Sequence, residues 1–414
     1  MVNRIWTYAR TFNPRWVISA LVFCVLLVNL YNARWTRSEV ISPQVMYYYD
    51  IIPSMFSAHT PERAPAEQQG WPTIGMALSY LPFYALAWIF AYLGGFPTDG
   101  YSAPFQFAVE FSSLVYFVIG LIFLGKLLRL HFPGLVSSIT MLVIAFGTNS
   151  FYYLTSGAGM PHAVSFMLVV LFVYQAIAWH QLRNMPSASQ LGLLWGALWL
   201  VRPLNALLII VFLLYDVRHL RELMARIKLF ARKSAHLVVV LCCAVAVVIP
   251  QLLYWRFSGG SAFPEGSMDL EGFHFKRPHI LQGIFSFHSG WLIHTPLMLF
   301  AVTGLFFMHG ALRMYAWAVP VLFIVYVYVV FSWWCWWHGP SFGQRTLIDI
   351  YGLLAVPLGA FIFKLRRLGG MYKRVMYLCV IFFIAMNLWR CVINAGAAIS
   401  EPCVPGQTIV PGRS

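Results

Sequence analysis

The stretch AHLVVVLCCAVAVVIP, residues 235–250, decides the architecture. Apart from His236 and the closing Pro250, every side chain in it is aliphatic or a thiol. With its flanks it reaches the ~20 residues that a helix needs to cross a bilayer. Runs of the same kind recur at 16–31, 75–94, 137–146 and 315–331. They are solid rather than alternating, which excludes the short dyad-repeat strands of a membrane barrel. Of the 414 residues 60% are hydrophobic and 10% charged, against about 25% charged in soluble domains. The mean hydropathy is +0.72. A soluble chain this apolar would expose large patches and aggregate. The sequence therefore predicts an all-α, polytopic integral membrane protein.

The net charge of +15 invites a nucleic-acid reading, but its placement argues for topology instead. Arg218, Arg221, Arg226, Lys228, Arg232 and Lys233 share one segment between apolar runs, and Lys364, Arg366, Arg367, Lys373 and Arg374 share another. Short loops rich in Lys and Arg stay in the cytoplasm, with contact to anionic headgroups as a secondary benefit. Anchoring both loops inside predicts about eleven spans. They lie near 16–33, 73–94, 104–127, 134–154, 160–181, 189–215, 235–255, 291–309, 314–332, 347–364 and 374–394. The first run follows Arg4, Arg10 and Arg15 with no small-residue cleavage site behind it, so it reads as a transmembrane helix rather than a removed signal peptide. Residues 1–414 then form one transmembrane domain with two long outer loops, 34–72 and 256–290, and a third outer segment, 333–346. In this arrangement Lys126, Arg129 and His131 fall outside, against the basic-inside rule, and the two larger basic loops outweigh them. The seven cysteines show no metal spacing. Cys335 and Cys403 both fall outside, where a disulfide between them can form.

Most carboxylates also fall outside, Glu39, Asp50 and Asp349 among them, whereas a channel or pump places ionisable groups at mid-membrane. Only Arg202, Glu110 and His162 fall within spans, and no internal repeat of the transporter kind is present. In the first loop Asp50 follows three tyrosines, Tyr47, Tyr48 and Tyr49. A carboxylate there can take a proton from a hydroxyl or amine acceptor near neutral pH, or simply cap a surface helix. Trp71-Pro72 opens the second span, where proline shapes the start of a helix. Lys276 and Arg277 suit a phosphate or lipid headgroups equally. Trp333, Trp334, Trp336 and Trp337 crowd around Cys335, more aromatics than an interfacial belt needs. His338, Gln344 and Arg345 follow, and Arg345 heads a helix, where a planar guanidinium presents a fork to phosphate. A snorkelling arginine above an aromatic belt is the plainer alternative. Arg202-Pro203 inside a span is costly in hydrocarbon and points to a cavity-facing role. His162 is a weaker candidate, satisfied by a neighbouring carbonyl.

These features carry a resemblance. A long outer loop after the first span, a proline-bearing start to the second, an Arg-Pro in a later span and a second outer loop are joined by three motifs. The motifs are Pro-Gln-x-x-Tyr-Trp at 250–255, Phe-Ser-x-x-x-Gly-Trp at 285–291 and Ser-Phe-Gly-Gln-Arg at 341–345. Over residues 15–365 the chain resembles the GT-C superfamily of polytopic glycosyltransferases, which use polyprenyl-phosphate-linked sugars. Protein O-mannosyltransferases and the aminoarabinose transferases of lipid A belong to it, and the bacterial branch is the nearest. The resemblance implies a GT-C-like fold in the bacterial inner membrane with its active site facing the periplasm. It implies an inverting transfer of a sugar to a lipid-linked, glycan or protein acceptor. Asp50 or Glu39 would be the base. Arg345, Gln344, His338, Trp337, Lys276, Arg277, Arg202, Tyr48, Gln44 and Trp71 would bind substrate. No metal cluster is visible in the sequence, though a carboxylate could share a divalent ion, Mg or Mn, with the donor phosphate, as in some members. Two positions depart from the pattern: Gln44 stands where many relatives carry an acid, and Trp71 where aminoarabinose transferases have a lysine. The alternatives are a lipid-linked-sugar flippase or transporter, and a catalytically inactive relative.

Overall fold

The computed structural model describes residues 15–56, 73–219, 221–259, 272–337 and 341–393. Among the described residues the chain is helical, with one isolated bridge, Phe273–Trp333, and no strand. The framework helices are α1 (Arg15–Asn32), α2 (Pro43–Tyr49), α3 (Ile74–Gly94), α4 (Ala103–Arg129), α5 (Gly134–Phe146), α6 (His162–Leu182) and α7 (Met185–Val201). They continue with α8 (Ile209–Leu214), α9 (Glu222–Arg232), α10 (Ser234–Gly259), α11 (Met298–Gly304), α12 (Ala318–Ser332), α13 (Tyr351–Arg367) and α14 (Gly370–Ile393). Among the described residues seven helical stretches are long and apolar enough to cross a membrane, and four shorter apolar ones extend the set. Val238, Leu241, Val245, Ile249 and Leu253 on α10 are exposed, as are Leu378, Ile381, Phe382 and Trp389 on α14. Asp349, Asn205, Gln344 and His162 are buried instead. Apolar side chains outward and polar ones inward is the arrangement that a lipid solvent dictates. The protein is an all-α, polytopic membrane protein.

Contacts between loops sort the chain into two ends. At one, His131 meets the Tyr315 hydroxyl at 2.9 Å, the Asp216 amide donates to the Met314 carbonyl at 2.8 Å, and Arg226 reaches His180 at 2.7 Å. This basic end gathers the turns 130–133, 215–233 and 308–317. At the other, the Tyr101 hydroxyl donates to Asp50 at 2.9 Å, the Val40 amide to Gln106 at 3.0 Å and Asn149 to the Phe342 carbonyl at 3.1 Å. The described parts of the three expected outer segments all lie there. The His274 and Trp334 amides donate to the Ser332 and Gly272 carbonyls, tying the second segment to the third.

This sorting corrects two of the expected spans. The residues on either side of α3, Asp50 and Tyr101, are hydrogen-bonded to each other, so α3 leaves the chain at the end from which it came. The expected span 189–215 is a hairpin. Arg202 is extended (φ −150°, ψ 113°) because the residue before a proline is driven out of the helical region, and Pro203 supplies no N–H. The chain turns back, and the Trp195 indole donates to the Ala206 carbonyl at 3.0 Å across the two arms. The ascending arm α7 lies parallel to α10 because Gly192 and Gly196 leave no room for a β-carbon against the Val240 and Ala244 carbonyls. Between them these two changes invert α4 and bring Lys126, Arg129 and His131 to the basic end, which removes the conflict with the basic-inside rule.

Candidate active site

The tip of the α7–α8 hairpin carries Arg202 into the protein interior, where it meets a carboxylate that stands 147 residues away. Asp349, fully buried in the 3₁₀ turn Arg345–Ile350, accepts from Arg202 Nη1 at 3.1 Å, Asn205 Nδ2 at 3.1 Å and His162 Nδ1 at 3.0 Å. Each donor comes from a different element: the turn after α7, the 3₁₀ turn Pro203–Leu208 and the first residue of α6. With His162 Nδ1 donating to Asp349, the Arg202 nitrogen 3.3 Å from the same atom is a contact rather than a second bond. The Tyr326 hydroxyl closes the network by donating to Asn205 Oδ1 at 3.0 Å. Arg202, 21% exposed, also directs Nη2 to the Thr346 hydroxyl at 3.4 Å. A buried carboxylate needs this much satisfaction to stay folded in place.

Arg345 begins the same 3₁₀ turn, half-buried, and its electrostatics differ. Its Nη1 donates to Gln44 Oε1 at 2.8 Å, and Tyr153, Tyr48, Tyr152 and Arg202 surround it electrostatically. Among the described residues no carboxylate pairs with it, since Asp349 is paired with Arg202 and His162. The two arginines and one carboxylate leave the cluster with one unit of positive charge. Gln344, next in the chain, is buried with neither amide atom partnered among the described residues, and His162 Nε2 is likewise unpartnered. Buried amides are otherwise almost always bonded.

Helix α2 covers this cluster. Gln44 and Tyr48 stand four residues apart, on one face. Asp50 caps the same helix, about 9 Å further along at 1.5 Å per residue and about 120° around it. It accepts from the Tyr101 hydroxyl at 2.9 Å, and burial, reinforced by the Asp50 carboxylate, pushes the Tyr101 phenol above its ordinary range. That phenol stays a donor and fixes the Asp50 rotamer. Glu39 is half-exposed and held near Arg34 and Arg37, at 3.9 and 3.8 Å. Lys276 and Arg277 are exposed on the hairpin that pairs with Trp333. Trp337 is buried, edge-on to Trp334 and Trp336. Cys335 is disulfide-bonded; Cys403, the expected partner, lies outside the described residues, as do Trp71 and His338.

No family model and no curated protein matches the chain. Among solved structures it is similar to the oligosaccharyltransferase of Archaeoglobus fulgidus. In the apo form the likeness has a TM-score of 0.46 at 14% identity over 94% of this chain and 56% of that one. In the form tethered through a disulfide to an acceptor peptide with the NVT sequon, the TM-score is 0.43 at 14% identity, over 95% and 56%. The chain spans just over half the length of that enzyme.

The structure brings together Arg202, Arg345 and Gln44, which the sequence singled out as candidates, with Asp349, set there among the outer carboxylates, and His162, a weaker candidate. Asn205, Thr346 and Tyr326 were not singled out. The available signal was periodic: Asp349 lies four residues after Arg345, and Asn205 three after Arg202, spacings that place polar groups near one another on a helical turn.

Proposed function

We propose that this protein is a membrane glycosyltransferase that moves a sugar from a polyprenyl-phosphate donor to an acceptor at the end bearing residues 34–56. The observation that carries this reading is Arg345, a half-buried guanidinium held by a neutral amide, with no carboxylate paired to it among the described residues. A cation kept without a counter-charge suits an anionic ligand, and a guanidinium suits phosphate oxygens. The buried Gln344 amide and His162 Nε2, unpartnered among the described residues, are available to meet a sugar. In the transfer the acceptor hydroxyl gives its proton to Asp50, its oxygen bonds to the anomeric carbon, and the carbon–oxygen bond to phosphate breaks. The departing phosphate takes the electron pair, and Arg345 stabilises the charge that develops there. The rise of about 9 Å from Gln44 to Asp50 leaves room for a sugar between phosphate and base. Glu39 is the second candidate for the base, and Lys276 and Arg277 for the phosphate.

The positive-inside rule and the Cys335 disulfide support an orientation with this end in an oxidising, extracytoplasmic compartment, the periplasm of a bacterial inner membrane. A second reading, a carrier-binding relative without transferase activity, is favoured by the direction of Asp50, which lies around the helix from Gln44 and Tyr48. Glycan and lipid-linked intermediates in a deletion strain separate the two. The transferase reading expects an accumulated precursor lacking one sugar, cleared by the wild-type gene but not by Asp50→Asn or Arg345→Gln at normal protein levels. Clearance by both variants would refute the site assignment.

A further inference from the structure

We infer that Gln44 is a charge-reading residue: its neutral amide holds Arg345 in place while leaving the guanidinium's charge for a phosphate, which displaces Gln44 on binding. This rests on the phosphate reading above and adds the identity of the residue that sets the site's charge. Gln44 Oε1 accepts from Arg345 Nη1 at 2.8 Å, so the arginine is oriented without being neutralised. The remaining charge is fixed by the neighbouring pair, because Asp349 is buried and committed to Arg202, His162 and Asn205. The cluster's single net positive charge therefore depends on the residue at position 44. A glutamine there keeps it, and an acid of the same length and reach would cancel it with a salt bridge.

Two consequences have opposite signs, which separates a charge-reading role from a merely structural one. In Gln44→Glu the new carboxylate replaces an amide already in bonding position, giving a charge-assisted bond that is shorter and stronger than the neutral one. The unliganded protein should melt at or above the wild-type temperature. A phosphate must then compete with a covalently tethered carboxylate for the same guanidinium, and its binding should weaken at least ten-fold. Gln44→Leu removes the competing acceptor without adding charge and should bind phosphate more tightly than wild type.

The test uses the purified full chain in nanodiscs with farnesyl phosphate as the probe, and farnesol as the uncharged control. Binding and thermal unfolding are measured on wild type, Gln44→Glu, Gln44→Leu and Arg345→Gln. The inference expects Gln44→Glu to be no less stable than wild type and at least ten-fold weaker for farnesyl phosphate, with farnesol unaffected. Unchanged phosphate binding in Gln44→Glu, while Arg345→Gln loses it, overturns the role of Gln44 and leaves the phosphate site standing. Weakened binding together with a lowered melting temperature also overturns it, as damage to the fold. Failure of wild type to prefer farnesyl phosphate over farnesol sinks the phosphate reading itself.

Discussion

The two buried-side arginines should respond to removal in opposite ways. Arg202 is one member of a saturated network, so Arg202→Leu strands Asp349 with two neutral donors and no exposure to water. Breaking one side of a buried ion pair costs about 3–5 kcal/mol. The surviving His162 and Asn205 bonds put the expected loss near the lower figure, about 3 kcal/mol. Asp349→Leu strands a guanidinium that is 21% exposed and can regain water. It also frees the His162 and Asn205 donors, for a loss of about 2–3 kcal/mol. The double variant buries neither charge, and only the orphaned neutral donors remain, about 1–2 kcal/mol. The sum of the singles then exceeds the double by about 3–5 kcal/mol, far outside the ~0.5 kcal/mol within which independent sites add.

Reversible unfolding by SDS in mixed micelles gives the three differences, and the same titration on Arg345→Leu supplies the contrast. With no carboxylate paired to Arg345 among the described residues, that change should leave stability at or above wild type while abolishing activity, because a half-buried cation without a counter-charge is itself unfavourable. Additivity of Arg202→Leu and Asp349→Leu within ~0.5 kcal/mol would refute the view that Asp349 exists to hold Arg202. A loss of several kcal/mol on Arg345→Leu would show that Arg345 is structural too, and would remove the main support for the anion site.

Two further outcomes follow from the arrangement of the ends. Single cysteines at Lys126 and at Asp216, in a background without reactive thiols, should label from the same side of the membrane, and one at Glu39 from the opposite side. Labelling of Lys126 together with Glu39 would restore the simple alternation of spans. Burial pushes His131 down to about 4 from an ordinary value of 6.5. The unfolded chain therefore takes up a proton first as the pH falls. Stability is whole above pH 6.5 and declines toward pH 4. His131→Gln should flatten that decline in a melting-temperature series, and an unchanged slope would assign it to other groups.

What could be read from the sequence was composition and the grouping of the basic segments. The apolar runs gave the class, and the basic loops around Arg218–Lys233 and Lys364–Arg374 gave one end of the molecule. The faces of individual helices could not be read, for a physical reason. Lipid tails are as apolar as a protein core, so an outward-facing Leu241 and a buried Val240 leave no periodic mark between them. The same equivalence hid the role of α3, whose apolar length satisfied a span although its neighbouring residues meet at Tyr101 and Asp50. The Arg202-Pro203 break was visible as a costly dipeptide. Its consequence, a hairpin, was not, because the largely apolar 27 residues 189–215 also suit one long span at 1.5 Å per residue.

The pairing of Arg202 with Asp349 shows why the site was only half legible. Each residue is unusual alone, but which arginine is neutralised depends on a contact over 147 positions. That contact exists because the hairpin lifts Arg202 to the level of the 3₁₀ turn, and the hairpin exists because Pro203 cannot continue a helix. With Arg202 satisfied, Arg345 is left without a paired carboxylate among the described residues and is held by the Gln44 amide, which gives the proposed site its charge. A chain with the same residues but an unbroken helix through 202 would carry Arg202 past the turn and leave Asp349 without its guanidinium. The proline therefore acts on the chemistry at a distance, by deciding which cation is left for a ligand.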